Sequence, residues 1–106
     1  MYRPDKFVVL KITNKDGSHY RIFGSWHGGY LDGDSWRLNS GITNVTKTKN
    51  GLNFQGQSGS VYRVNPEQYG MTIYTSGVLR SWQEDYKDKG VTLEVLDNQD
   101  WTKFEF

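Results

Sequence analysis

The residues best suited to chemistry lie in one segment, Ser25 to Gly41, which reads SWHGGYLDGDSWRLNSG. His27 is close in sequence to Asp32, Asp34 and Ser35, and these are the residue types of a hydrolytic triad. However, the strand–turn–helix frame that exposes a nucleophilic serine does not surround Ser35. We therefore expect no catalytic residues and a protein that is not an enzyme. Any chemistry would be sought at His27 with Asp32 or Asp34.

The same segment does not predict a metal site. Asp32-Gly33-Asp34-Ser35 is superficially like a calcium loop, but it lacks the alternating oxygen ligands and the final bidentate acid. The chain has two histidines and no cysteine, so a closed zinc site would need carboxylates from elsewhere. Neither of the common glycine-rich phosphate motifs occurs. We expect no metal and no cofactor.

The composition of the segment is more typical of a contact surface. Aromatic and arginine side chains provide large contact areas at a small cost in conformational entropy. Tyr30 lies mid-loop beside Leu31, where a core position is difficult to arrange, so these two form a compact candidate hot spot. The candidate binding residues are Trp26, His27, Tyr30, Leu31, Asp32, Asp34, Trp36 and Arg37.

A purely structural role for the segment is the alternative. Its glycines permit the chain to reverse between two strands. Trp26 and Trp36 would then pack together across the hairpin, and Arg37 would cover an aromatic ring.

Short strands separated by turns must position this segment. Residues 7–13, FVVLKIT, form the most apolar stretch, and the turn signal Asn14-Lys15-Asp16-Gly17 follows it. Residues 19–26 return as a second strand, with Tyr20 and Ile22 on one face and Arg21 and Phe23 on the other. Further strands are predicted over residues 35–39, 42–47, 60–64, 71–75, 78–82 and 91–96. Asn50-Gly51 is the strongest hairpin signal.

One short helix is predicted near residues 82–89. A capping-box pattern starts at Ser81, Gly90 is placed as a C-terminal stop, and Trp82 and Tyr86 would form the buried stripe. At the C-terminus, TKFEF is predicted as an edge strand. Its aromatic residues either close the core or pair with a second copy, which would make a homodimer through this strand.

Composition indicates one globular domain over residues 1–106. The chain has no alanine but four tryptophans, seven tyrosines and five phenylalanines, a mixture that disfavours helices and suits short strands. The fold class expected is all-β, or β-rich α+β. The expected architecture is a small, strongly bent antiparallel barrel or sandwich, SH3-like or OB-like, with the one short helix near residues 82–89.

Charge and hydropathy restrict the function. The net charge of +1 provides no global field that would attract nucleic acid, and no run is long enough to span a membrane. The chain lacks a signal-peptide pattern and cysteine, so we expect a cytoplasmic protein without a membrane partner. The expected function is a non-catalytic binding module, a small protein-binding adaptor or inhibitor of the kind that phages and mobile elements encode.

Two alternative functions stay open. Single-stranded nucleic acid could stack on an OB-like surface that carries Tyr20-Arg21, Trp36-Arg37, Tyr62-Arg63 and Arg80-Ser81-Trp82. A small carbohydrate-binding domain is the other alternative, because tryptophan and tyrosine platforms suit sugar faces.

Overall fold

The computed structural model describes residues 1–28 and 33–106. In these two segments the chain forms seven strands, one α-helix and two short 3-10 helices. The strands are β1 (Lys6–Asn14), β2 (Gly17–Trp26), β3 (Ser35–Leu38), β4 (Ile42–Lys47), β5 (Leu52–Gly56), β6 (Val61–Val64) and β7 (Thr92–Val95). The helix α1 spans Ile73–Lys87, and the 3-10 helices span Pro66–Gln68 and Trp101–Lys103.

The strands form two antiparallel sheets that pack face to face. One sheet has four strands in the order β3-β2-β1-β7, and the other has three in the order β4-β5-β6. Helix α1 covers the outer face of the four-stranded sheet through Leu79. Within the described segments no strand ladder joins the two sheets into a closed barrel. The prediction of a small β-rich antiparallel domain is confirmed, in its sandwich form.

Strand β1 is covered on both faces, which explains its continuous apolar sequence. Phe7 and Val9 lie in the core between the two sheets. Val8 and Leu10, which alternate with them, lie in the core beneath α1. Strands buried on both faces do not show the alternation of polar and apolar residues that a one-sided strand shows.

Strand β2 confirms the predicted division of faces. Ile22 is in the core between the sheets, whereas Phe23 is in the core beneath α1. The turn before it is also as predicted, since Asn14 is paired with Gly17. Gly17 has a φ of 132°, a conformation that favours glycine.

The helix differs from the prediction. It begins at Ile73, so the strands predicted over 71–75 and 78–82 are wrong. Thr72 is the N-cap: its side chain accepts a hydrogen bond from Thr75 N, and the Thr75 side chain accepts one from Thr72 N. This is a capping box with threonine in the position where Glu or Gln is usual.

The C-terminal stop of α1 is confirmed. Gly90 has a φ of 72°, and Val91 N donates a hydrogen bond back to Tyr86 O. Gly90 N donates to Lys87 O, which completes the pattern of a Schellman motif. Of the predicted buried stripe, Trp82 is half-buried, but Tyr86 is 41% exposed and is not a core residue.

The β4–β5 hairpin forms, but not through the predicted two-residue turn. Lys47 is paired with Leu52, and Thr48 N donates to Gly51 O, so the loop contains four residues. Neither Asn50 nor Gly51 has a positive φ. Glycine is needed at 51 for another reason: a Cβ there would overlap the carbonyl oxygen of Val64.

The C-terminal segment is not the predicted edge strand. Residues Trp101–Lys103 form a 3-10 helix, and the three residues after it are not in a strand. Trp101, Phe104 and Phe106 pack against the core between the sheets, as in the interpretation that they close it. Residues 102–106 therefore do not form the strand through which a homodimer was predicted. The oligomeric state stays a prediction.

The length and apolarity of a helix decide whether it could span a membrane. In residues 1–28 and 33–106, no helix is long and apolar enough to span a bilayer.

Candidate functional site

An apolar groove lies between the edge strand β3 and the first half of α1. Its volume is about 610 Å³. We call it the aromatic groove. Three of its side chains are strongly exposed for their type: Ile73 is 95% exposed, Tyr74 44% and Trp36 39%. The groove is lined by Trp36, Ile73, Tyr74, Gly77, Val78, Ser81 and Trp82.

The two indole rings of the groove are held in place from below. Trp36 and Trp82 meet edge to face, with ring centroids 4.9 Å apart and an interplanar angle of 81°. The buried ring of Phe23 contacts both, at centroid distances of 5.7 Å and 5.1 Å. Aromatic pairs in this geometry are attractive beyond their buried area, so the groove is preorganised.

Strand β3 presents an unpaired edge beside the groove. It pairs only with β2 among the described strands. Asn39 N donates to Ile22 O, and hydrogen-bonded pairs alternate along an antiparallel ladder. The backbone N–H and C=O groups of Trp36 and Leu38 therefore point away from β2, toward the open edge. The side chains of these two residues face α1.

A second cavity lies beneath the C-terminal half of α1. Its volume is about 320 Å³. We call it the Arg21 recess. Its polar groups are the imidazole of His19, the guanidinium of Arg21 and the phenol of Tyr86. The apolar lining consists of Ile12, Leu38, Trp82, Val91 and Leu93.

Arg21 is oriented by two hydrogen bonds. Its Nε donates to His19 Nε2 at 3.1 Å, and its Nη1 donates to Asn39 O at 3.3 Å. Burial, and secondarily the charge of Arg21, lower the pKa of His19. Both effects favour the neutral imidazole, which is the form that can accept the Arg21 hydrogen bond at Nε2.

The predicted packing of Trp26 against Trp36 is wrong. Trp26 is paired with Ser35 and Trp36 with Ser25, so the two tryptophans occupy successive register positions. Successive positions point to opposite faces of a sheet. Trp36 contacts the helix layer, whereas Trp26 donates from Nε1 to Arg3 O at 3.0 Å and packs against the core between the sheets.

Arg37 lies on the same face as Trp26 and covers an aromatic ring, as the structural interpretation predicted. Its guanidinium carbon is 4.4 Å from the centroid of the Tyr2 ring. Since Trp36 and Arg37 point in opposite directions, this dipeptide does not form a single contact site.

His27 and Asp34 come together at the base of the segment. His27 Nδ1 is 3.2 Å from Asp34 Oδ1, and His27 N donates to Asp5 Oδ2 at 2.7 Å. The histidine side chain is largely exposed, so the pair lies in contact with solvent, where such a contact contributes little. The other predicted residues of the loop, Tyr30, Leu31 and Asp32, lie outside the described residues.

The aromatic–cation pairs singled out in the sequence are mostly not surface stacking sites. Tyr62 is 1% exposed, and Tyr20 packs edge to face against Phe104. Of these pairs, Trp36-Arg37 and Arg80-Ser81-Trp82 contribute rings that reach the surface, and both rings do so in the aromatic groove.

Sequence reasoning missed most of the groove because it placed strands where α1 lies. Ile73, Tyr74 and Val78 were therefore not candidates. The signal was present: Thr75, Leu79, Trp82 and Tyr86 recur at intervals of four, three and four, which is a helical period. His19 was predicted only as a strand residue, and Arg21 only as a strand residue and as part of the Tyr20-Arg21 pair.

Neither a cluster of metal-ligating residues nor a similar protein provides further information about the site. Over residues 1–28 and 33–106, no three His, Asp or Glu side chains are close enough to hold a metal ion. Comparison with protein-family models, curated proteins and solved structures finds no match.

Proposed function

We propose that this protein is a non-catalytic binding module that recognises an extended segment of a partner protein along β3 and the aromatic groove. In this role it acts as a small adaptor or inhibitor. The lack of cysteine is compatible with work in the reducing cytoplasm. The observation that carries the proposal is the exposed apolar surface of Trp36, Ile73 and Tyr74 beside an unpaired strand edge.

The exposed aromatic side chains provide the anchoring part of the proposal. A folded domain gains nothing in stability from an isoleucine that is 95% exposed, and contiguous apolar patches commonly mark interaction sites. The indoles of Trp36 and Trp82 are already ordered by Phe23. A partner side chain that enters the groove would therefore cause little loss of conformational entropy in the protein.

The strand edge provides the orienting part. An extended peptide can add to an unpaired edge through main-chain hydrogen bonds, while pockets beside the edge select alternate side chains. The outward backbone groups of Trp36 and Leu38 alternate with those that bond β2. A segment paired there would present every second side chain to the aromatic groove.

The test is a peptide-library selection on the folded protein, followed by affinity measurements in solution. We expect selected peptides to protect the Trp36 and Leu38 amides from hydrogen exchange. Trp36→Ala should weaken binding by roughly thirtyfold, the effect of a hot-spot residue worth about 2 kcal/mol. Tyr86→Ala is the matched control, an exposed aromatic residue of α1 outside the groove, and should change affinity less than about threefold.

Four results would contradict the proposal. Selected peptides that bind equally well to W36A, or that protect no β3 amide, would place recognition elsewhere. Tryptophan fluorescence that responds to oligonucleotides in a salt-dependent way would favour the nucleic-acid alternative. Specific retention on a glycan array, lost in W36A, would favour a carbohydrate ligand.

A further inference from the structure

We propose that the Arg21 recess binds a small organic carboxylate, with the carboxylate on the guanidinium of Arg21 and the apolar part beneath α1. This site adjoins the strand edge of the proposed function, because Leu38 of β3 also lines the recess. It shares only Trp82 with the aromatic groove.

The first observation is the state of the Arg21 side chain. An arginine has five N–H donors, and two of those of Arg21 are used by His19 and Asn39. The other three find no protein acceptor in residues 1–28 and 33–106. No carboxylate in that part of the chain forms an ion pair with Arg21. A half-buried charge without a partner is unfavourable, and an anionic ligand would compensate it.

The second observation is which nitrogen atoms of the guanidinium carry the unused donors. Because the Nε edge is occupied by His19 and one Nη1 donor by Asn39, the remaining donors are on the two Nη atoms. These atoms can hold both oxygens of a carboxylate side by side. His19 and Asn39 thus act as positioning residues that fix the guanidinium plane.

The third observation is the surroundings of the guanidinium. The remaining walls are the aliphatic and aromatic side chains of Ile12, Leu38 and Trp82 with Val91 and Leu93. A volume of about 320 Å³ is at the lower end of small-molecule sites. The one fixed positive charge matches a singly charged carboxylate better than a phosphate dianion, and the walls suit a short hydrocarbon or phenyl body.

The test uses three probes, phenylacetate, isovalerate and octanoate, each beside its uncharged amide. Proton–nitrogen correlation NMR would follow the Arg21 Nε–H and the Trp82 indole N–H. We expect at least one acid to shift both signals saturably at millimolar concentration. Its amide should bind at least about tenfold more weakly, because it lacks the charge-assisted pair of hydrogen bonds.

Arg21→Gln should lower the affinity for that acid by at least about tenfold. Arg63→Gln is the control, since Arg63 lies on β6 and donates to Asn53 at 3.0 Å, away from the recess. The proposal is overturned if none of the three acids shifts the Arg21 signal, if acids and amides bind alike, or if R21Q binds as the unmodified protein does. The comparison of acid with amide needs no variant, so it remains decisive even if R21Q does not fold.

Discussion

At the scale of single residues, the side chain of Tyr69 makes hydrogen bonds to two backbone groups, one in β1 and one just after β7. Its hydroxyl accepts a hydrogen bond from Val9 N at 3.0 Å and donates one to Leu96 O at 2.6 Å. It thereby joins β1 to the end of β7 just beyond the paired residues Leu10 and Val95. A side chain thus satisfies the N–H of buried Val9 and the carbonyl of half-buried Leu96.

Tyr69→Phe should therefore lower the free energy of unfolding by about 1–3 kcal/mol, because it leaves the N–H of buried Val9 and the carbonyl of half-buried Leu96 without this partner. Urea denaturation would measure the change. Tyr86→Phe removes a hydroxyl from an exposed ring and should have little effect. Equal stabilities for the two variants would show that the Tyr69 hydroxyl bridge is not important for the fold.

Tyr62 predicts a loss of stability at alkaline pH. Burial raises its pKa to about 12, against a smaller opposing effect of Arg37. An unfolded tyrosine ionises near pH 10. Between about pH 10 and 12 the unfolded chain thus loses a proton that the folded protein retains, and the free energy of unfolding falls as pH rises.

Chemical denaturation at several pH values above 9 would measure this slope, and Tyr62→Phe should reduce it. Burial also raises the pKa of Tyr69, so a part of the slope should remain in Y62F. A tyrosine titration curve of the folded protein in which every group ionises near pH 10 would contradict the expectation.

At the scale of elements, two glycines have opposite effects that the sequence does not distinguish. A Cβ at Gly51 would overlap Val64 O, whereas a Cβ at Gly77 would meet no atom within 4 Å. Gly51→Ala should destabilise by about 1–3 kcal/mol through overpacking. Gly77→Ala, in the first half of α1 and within its hydrogen-bonded interior, should stabilise by about 0.5–1 kcal/mol through helix propensity.

Thermal unfolding of both variants would check the signs. A destabilising G77A would mean that the position is not helical in solution. A neutral G51A would mean that the hairpin and β6 are able to separate without cost.

The same two glycines show how far local sequence signals reach. Asn50-Gly51 correctly predicted a hairpin, since turn residues between two alternating segments specify a reversal whatever its exact geometry. Ser76-Gly77, which separates the two wrongly predicted strands over 71–75 and 78–82, lies inside α1 instead. There the apolar residues at helical spacing, Leu79 and Trp82, pack on the sheet, and tertiary packing outweighed the local preference.

The candidate site was predictable only in part, for a similar reason. Trp36 was identified because it lies next to a conspicuous loop. Its neighbours in the groove, Ile73 and Tyr74, come from a segment far away in sequence whose element type was predicted wrongly. Likewise, the recess forms because the end of α1 lies over His19 and Arg21 of β2. How a helix packs against a sheet depends on the whole fold, and no local sequence pattern predicts it.

At the scale of the whole molecule, the central sheet separates two layers with different roles. On one face, the three-stranded sheet and the C-terminal aromatic residues enclose the main core. On the other face, α1 buries a smaller core and leaves the aromatic groove and the Arg21 recess open on either side of Trp82. Stability should therefore depend mainly on the first layer, and binding on the second.

Two tryptophan substitutions test this separation. Trp101 is 1% exposed and contacts Phe54, Tyr69 and Phe106, so Trp101→Ala should cost about 3–5 kcal/mol of folding free energy. That is a large fraction of the 5–15 kcal/mol typical of a domain. Trp36→Ala removes a ring that is already 39% exposed and should cost about 1 kcal/mol, mainly its aromatic contacts.

Denaturation and peptide affinity, measured on both variants, give the decisive comparison. If the layers are independent, W101A should retain peptide affinity under conditions where it remains folded, and W36A should lose affinity while remaining stable. If instead W36A destabilises the protein as much as W101A does, the groove is a structural part of the fold, and the exposed aromatic surface no longer supports recognition.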